Sequence, residues 1–251
     1  LEAFVFGQCR EHIDQLFVTK DITSDDEAFQ KKLELLKFLN ASHFDIACLV
    51  DKSDLLHDAV AALQSVHTYH SVFDKLQRIL NMFHSVNAAL KEASPDTLPS
   101  ADDVLPTIIL TVVQAQPQKL VGDLHFIETF GKAEYLRGEA GYAYTNLYSA
   151  VQFLQDLNVE NEEPGGSLSI SPGVWREALA KQRTVIEEQH QLKKEAVVVE
   201  DEPIVPILCA SQIRQARLNG ETIDLEWARR KVKQGKVEDA EPQLLSPKEA
   251  V

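Results

Sequence analysis

The stretch Ser100-Ala-Asp-Asp-Val-Leu-Pro106, running on into Thr107-Ile-Ile-Leu-Thr-Val-Val113, is the most apolar segment of the chain and decides how the rest is read. It predicts a buried helix. Ser100 is a good N-cap, Asp103 three residues on can fold back in a capping box, and two carboxylates in the first turn suit the positive end of the helix dipole. Pro106 falls too late to be a harmless first-turn proline. With no N–H it cannot bond the carbonyl of Asp102, so the helix is expected to kink or open beside that carboxylate. If one carboxylate caps the helix, the other is left over. Residue type and position leave two readings of it open: dipole compensation, or a negative charge on display.

Composition bounds the surroundings of this helix. A chain of 251 residues with 44% hydrophobic content can bury a sizeable core, and ten glycines, ten prolines and long amphipathic runs point to a mostly helical protein. The formal net charge of -14 argues against nucleic acid or an anionic membrane as the main partner, because phosphate binding needs clustered Lys and Arg. A protein partner or a soluble ligand fits better. Cys9, Cys48 and Cys209 are odd in number and far apart, as expected in a reducing compartment. No apolar run approaches the ~18 to 20 residues of a membrane span, and no signal peptide is evident. The chain begins at Leu1 without Met, which is expected of an excised domain.

Upstream, apolar residues at Val5, Cys9, Ile13, Leu16 and Phe17 make a helical stripe from Leu1 to Lys20. The run Asp21-Ile-Thr-Ser-Asp-Asp26 is expected to break it, with Ser24 capping the next helix, which carries Phe29, Leu33 and Leu36 and dissolves into Asn40–Ile46. Ser53 opens a third helix with Leu56, Val60 and Leu63. Ser71 opens a fourth with Phe73, Leu76, Leu80, Phe83, Val86 and Leu90 on its core face. A proline-rich connection from Ala93 to Pro99 precedes the Asp102 helix, which ends at Gln116-Pro117. A short helix with Leu120, Leu124 and Ile127 follows, then a loop from Lys132 to Gly138 and a long helix from about Glu139 to Leu157.

Several chemistries lack their residues. His67 and His70 sit three apart, with His57 and His84 on neighbouring helices, yet no cysteine or acidic cluster completes a metal site, so no metal is expected. Gly138-Glu-Ala-Gly141 lacks the further glycine and the lysine of a phosphate-cradling loop. Serine, cysteine and histidine are scattered without a nucleophile signature, and no cofactor is expected. The long helix is more informative. It places Leu147, Ala150, Val151 and Leu154 on a buried face, and Tyr142, Thr145 and Ser149 on a second stripe of hydroxyls. Such a stripe is either a core edge whose hydroxyls reach water or a binding face, since Tyr is favoured at interface hot spots.

Taken together these stretches resemble the vacuolar-protein-sorting-nine (Vps-nine) domain, the catalytic module of exchange factors for Rab-five-subfamily small GTPases. The likeness is carried by S-A-D-D-V-L-P-T-I-I-L-T-V-V from Ser100 to Val113, L-x-F-I-x-x-F from Leu124 to Phe130, and G-E-A-G-Y-A-Y-T-N-L-x-x-A-V-x-F from Gly138 to Phe153, in the family's order and spacing. Upstream, Leu1 to Phe6, Phe29 to Ile46 and Asp74 to Asn81 look like the helices that complete the module, so the resemblance spans about residues 1–157. It implies an all-α, layered helical exchange-factor domain that binds a nucleotide-free or GDP-bound Rab and stabilises the nucleotide-free state. No covalent bond changes, and no cofactor is required. The resemblance makes Asp102 an acidic finger reaching the Rab's phosphate-binding lysine, and Pro106, Tyr142 and Thr145 residues that shape and line the Rab groove. It further implies a cytoplasmic protein recruited to early endosomes in endocytic traffic. The chain departs from the family pattern at Ala143, where a second aromatic is frequent. The competing reading is a helical adaptor that binds a GTPase or helical partner without exchanging nucleotide, for which an acidic finger has no use.

Beyond Leu157 the composition changes. Residues 158–172 read as a linker and 173–194 as a charged helix with Trp175, Leu179 and Ile186 in a thin apolar stripe, which either packs back on the core or makes a regulatory or coiled-coil contact. Residues 195–251 are expected to be mostly disordered, with a possible short basic helix at 222–234. On this reading a chain ending near Asn158 stays folded.

Overall fold

A computed structural model of the chain describes residues 2–9, 13, 20–96, 100–160, 164 and 168–200, and every regular element among them is helical. The helices are α1 (Glu2–Gln8), α2 (Lys20–Leu35), α3 (His57–Gln64), α4 (Val72–Ala93), α5 (Ala101–Ala115), α6 (Leu120–Phe130), α7 (Gly138–Asp156) and α8 (Pro172–Glu200). Short 3-10 turns at Ala41–Phe44, Ala47–Leu49, Ser53–Leu56 and Val66–Thr68 join the earlier ones. The expected contributions of Leu16 and Phe17, and the tail from 201 to 251 with its basic helix, lie outside the described residues.

Helix α4 is the axis of the layers. It packs against α1, α3, α5, α6 and α7, and its buried residues Val72, Leu76, Ile79, Met82, Phe83, Val86 and Leu90 recur at the three- and four-residue steps of one broad helical face. Its start follows the sequence directly, since Ser71 Oγ accepts from the backbone N–H of Asp74 at 3.1 Å. Phe73 departs from the expected core face and is 48% exposed. Helix α5 is enclosed between α3, α4 and α7, and Ile108, Ile109, Leu110, Val112 and Val113 are all buried, as an all-round apolar helix requires. Its two buried threonines cost little, because Thr107 Oγ1 donates to the carbonyl of Asp103 at 2.7 Å and Thr111 Oγ1 to that of Thr107 at 2.8 Å.

The expected break at Asp21–Asp26 is not there: the run lies within α2. Asp, Ser and Thr disfavour a helix interior in isolation, but α2 packs on α6, and Asp26 Oδ1 accepts the backbone N–H of Gly122 at 3.0 Å in the first turn of α6. Gly122 is needed for that approach, since a Cβ there would lie 2.7 Å from the other Asp26 oxygen.

Distant side chains close the ends of three helices. Lys32 donates to the carbonyl of Leu157 at 2.9 Å, and to that of Gln155, at the end of α7. Lys52 donates to Ala93 at 3.1 Å at the end of α4, and Gln64 to Ala115 at 2.9 Å at the end of α5. Each supplies a donor to a carbonyl that its own helix cannot satisfy. Burial holds the Lys32 ammonium below its ordinary pKa, partly offset by Asp156.

Residues 1–188 form one compact unit. The first turns of α8 belong to its core. Trp175 is fully buried, Leu179 nearly so, and the Trp175 ring meets Phe38 edge-on at 5.5 Å between centroids. Of the two expectations for this helix, packing back on the core is the one its described side chains meet. The approach to it is also pinned, because Ser169 N donates to the carbonyl of His43 at 2.9 Å and Ser169 Oγ to Asp45. Of the second unit, 189–251, the described residues are the closing turns of α8, which reach Glu200.

Candidate functional site

The start of α5 resolves the two adjacent carboxylates by geometry. Asp103 turns back on the N-cap: its Oδ2 accepts the Ser100 backbone N–H at 3.2 Å and the Ser100 hydroxyl at 2.7 Å, and its own N–H bonds the Ser100 carbonyl at 3.1 Å. That is the expected capping box. Asp102 is exposed, and among the described residues no hydrogen bond or ion pair engages its carboxylate. Pro106 sits one turn on, on the same face and half-buried. The helix is not broken there: α5 runs helical through Pro106 from Ala101 to Ala115.

Helix α7 lies against α5 on one side and α4 on another. Its start is set by two glycines. Gly138 takes φ +72, and Gly141 is so close to the preceding loop that a Cβ would fall 1.9 Å from the Leu136 carbonyl oxygen. Ala143, Leu147, Ala150, Val151 and Leu154 are buried, whereas Tyr142, Thr145 and Ser149 are exposed along one stripe. Tyr142 is 52% exposed, and its ring meets Phe83 of α4 edge-on, 5.5 Å between centroids with the planes at 90°. Thr145 Oγ1 donates to the Gly141 carbonyl at 2.9 Å. One turn before Tyr142, Glu139 Oε1 lies 2.8 Å from His84 Nε2, an exposed link between α7 and α4. Tyr144 faces the other way: its hydroxyl donates to Leu124 O at 3.3 Å, and burial, with Glu128 and Tyr148 nearby, pushes its pKa up to about 12.

Thus Asp102 and Pro106 share a face of α5, Tyr142 and Thr145 share a face of α7, and the two helices are neighbours. Sequence reasoning missed Phe83, Glu139 and His84. Phe83 fitted the core pattern of its own helix, and no local spacing links it to a tyrosine 59 residues later.

A second cluster is structural. Lys75 and Asp123 pair at 2.6 Å with 6% and 12% of their side chains exposed, and Lys75 also donates to the Val66 carbonyl at 3.2 Å. Burial pushes the Asp123 carboxyl up, against the downward pull of the Lys75 charge and hydrogen bond. Asp26 is likewise raised by burial, with the Gly122 N–H pulling it down. No group of His, Cys, Asp and Glu among the described residues is arranged to hold a metal ion, and no described helix is long and apolar enough to cross a membrane.

In comparison with known families, residues 56–159 match the Vacuolar sorting protein 9 (VPS9) domain. Among curated proteins the chain is similar to Vacuolar protein sorting-associated protein 9A of Arabidopsis thaliana, 30% identical over 57% of this chain and 28% of that protein. The protein of the same name in Oryza sativa subsp. japonica is 31% identical over 57% of this chain and 31% of its own length. The Rab5 GDP/GTP exchange factor of Homo sapiens is 28% identical over 55% and 30% respectively. The matches therefore span less than a third of those relatives.

Proposed function

We propose that this chain is a guanine nucleotide exchange factor that promotes GDP release from a small GTPase of the Rab-five subfamily. The observation that carries the reading is the division of labour between Asp102 and Asp103. The capping box consumes one carboxylate and leaves the other exposed and unengaged at the start of α5. The VPS9 match and the likeness to a Rab5 GDP/GTP exchange factor support it.

In this mechanism Tyr142 and Thr145 of α7, with Pro106 of α5, form the surface on which the GTPase docks. Asp102 enters its nucleotide site and becomes the counter-ion of the lysine that otherwise holds the phosphates. The like charge disfavours the phosphates and Mg²⁺ loses its partner there, so the nucleotide leaves while the nucleotide-free GTPase is held. No covalent step occurs, and the nucleotide belongs to the partner. Endosomal recruitment of a cytoplasmic protein fits the same reading, as does the vacuolar-sorting name of the plant relatives.

The test is GDP release. Purified chain is mixed with a panel of Rab GTPases loaded with fluorescent GDP, and release accelerated on Rab-five-type members and not on others is expected. Stable binding without accelerated release would replace this reading with the adaptor.

A further inference from the structure

Tyr142 would be a poor anchor if it were merely exposed. A half-exposed tyrosine on a helix surface samples several rotamers, and a partner that selects one of them must offset the lost side-chain entropy. Here one ring supports it. Phe83, 8% exposed on α4, presents its ring at 90° to that of Tyr142 at 5.5 Å, the edge-to-face geometry that aromatic quadrupoles favour. The supporting helix is itself held in place, since Phe83 is part of the core and α4 packs along α7. One turn before Tyr142, the 2.8 Å contact of Glu139 with His84 ties the first turn of α7 to the residue next to Phe83. That pair is exposed and adds little energy by itself, so the ring contact is the main restraint.

We propose that Phe83 is a positioning residue for GTPase engagement: it acts through Tyr142, holding that ring in the docking orientation before the partner arrives. This rests on the assignment of Tyr142 to the docking surface. An edge-to-face contact of this kind predicts that its loss lowers kcat/KM for GDP release by roughly twofold to tenfold. The loss falls on KM, because binding and not the release step is affected.

A double-mutant cycle tests it. Phe83→Leu, Tyr142→Ala and the double variant are compared for release of fluorescent GDP from a Rab-five-type GTPase, with thermal unfolding of each. Phe83→Leu should raise KM in the wild-type background and have no further effect in the Tyr142→Ala background, while Phe83→Tyr, which keeps the ring, should behave as wild type. If Phe83→Leu is too unstable, Phe83→Met removes the ring at nearly constant volume and takes its place. Losses that add in the double variant, or an unchanged KM for Phe83→Leu while Tyr142→Ala is impaired, would overturn the positioning role alone. Wild-type exchange by Tyr142→Ala would overturn the docking surface, and the positioning role with it.

Discussion

Of the two neighbouring carboxylates only Asp103 is engaged by the helix cap, so a single pair of substitutions separates the proposed exchange role from stability. Among the described residues no hydrogen bond or ion pair engages Asp102, so Asp102→Ala should unfold close to wild type, losing only a first-turn dipole contribution. Asp103 holds the capping box through two contacts to Ser100, at 3.2 and 2.7 Å. Its alanine variant should lose about 1 kcal/mol, which for a folded unit of this size lowers Tm by roughly 2 to 4 °C. Exchange should show the reverse order. A carboxylate against the GTPase lysine in a partly dehydrated interface is a charge contact whose removal costs about 3 to 4 kcal/mol in the transition complex. Release should then slow by roughly a hundredfold to a thousandfold. Asp102→Asn should be nearly as damaging, because the amide keeps the shape and loses the charge. The assay is the release rate of fluorescent GDP at subsaturating GTPase, run beside thermal melts of the same preparations. Wild-type exchange by Asp102→Ala would refute the acidic finger and leave plain dipole compensation; equal exchange losses at both positions would show that the helix start, not the charge, is what matters.

Tyr142→Ala and Thr145→Ala should each leave the domain folded and weaken GTPase engagement by about 2 kcal/mol, roughly thirtyfold in kcat/KM; unfolding of both, with normal exchange per folded molecule, would make the stripe a core edge. Truncation separates the expected close of the core at Leu157 from the burial of Trp175. A chain ending at residue 188 should melt as the full chain does, whereas one ending at Asn158 should lose helical signal cooperativity at lower temperature. Trp175→Ala should cost about 3 to 5 kcal/mol, and Trp175→Phe much less, because the buried indole N–H has no hydrogen-bond partner among the described residues. Asp123→Ala should lose about 3 to 5 kcal/mol in denaturant unfolding by leaving Lys75 buried without its counter-ion; replacing both by apolar residues of similar size should recover most of it. Burial raises Asp26 above its ordinary 3.8, so the folded chain holds that proton to higher pH than the unfolded one. Its contribution to stability is complete below 3.8 and is lost as pH rises through the raised value, so the advantage of wild type over Asp26→Asn should be larger at about pH 4 than at about pH 6 in paired melts.

What the sequence by itself determined are the features decided within a few residues of one another. Ser71 and the pair Ser100 and Asp103 start their helices as read, because an N-cap and its hydrogen-bond partner are separated by one turn and need no other part of the chain. The same locality left Asp102 as the carboxylate over from the capping box, while its reading as an acidic finger came from the family resemblance and not from spacing. The stripe of Tyr142, Thr145 and Ser149 against Ala143, Leu147 and Ala150 is a matter of helical period, and the exposures follow it. Tertiary structure decided what depends on partners far along the chain. Asp21–Asp26 is helical because α6 packs against α2 and Gly122 reaches Asp26, which overrides the weak local preference of that run. The carbonyls at the ends of α4, α5 and α7 are satisfied by Lys52, Gln64 and Lys32, all of which read as ordinary surface side chains. Trp175 lies beyond a polar linker, and only the groove beside Phe38 makes it core. Phe83 looks like one more core residue of α4 until α7 lays Tyr142 across it. Local hydrogen bonds and periodicity are written in consecutive residues, whereas burial and long-range capping exist only once the helices have closed on one another.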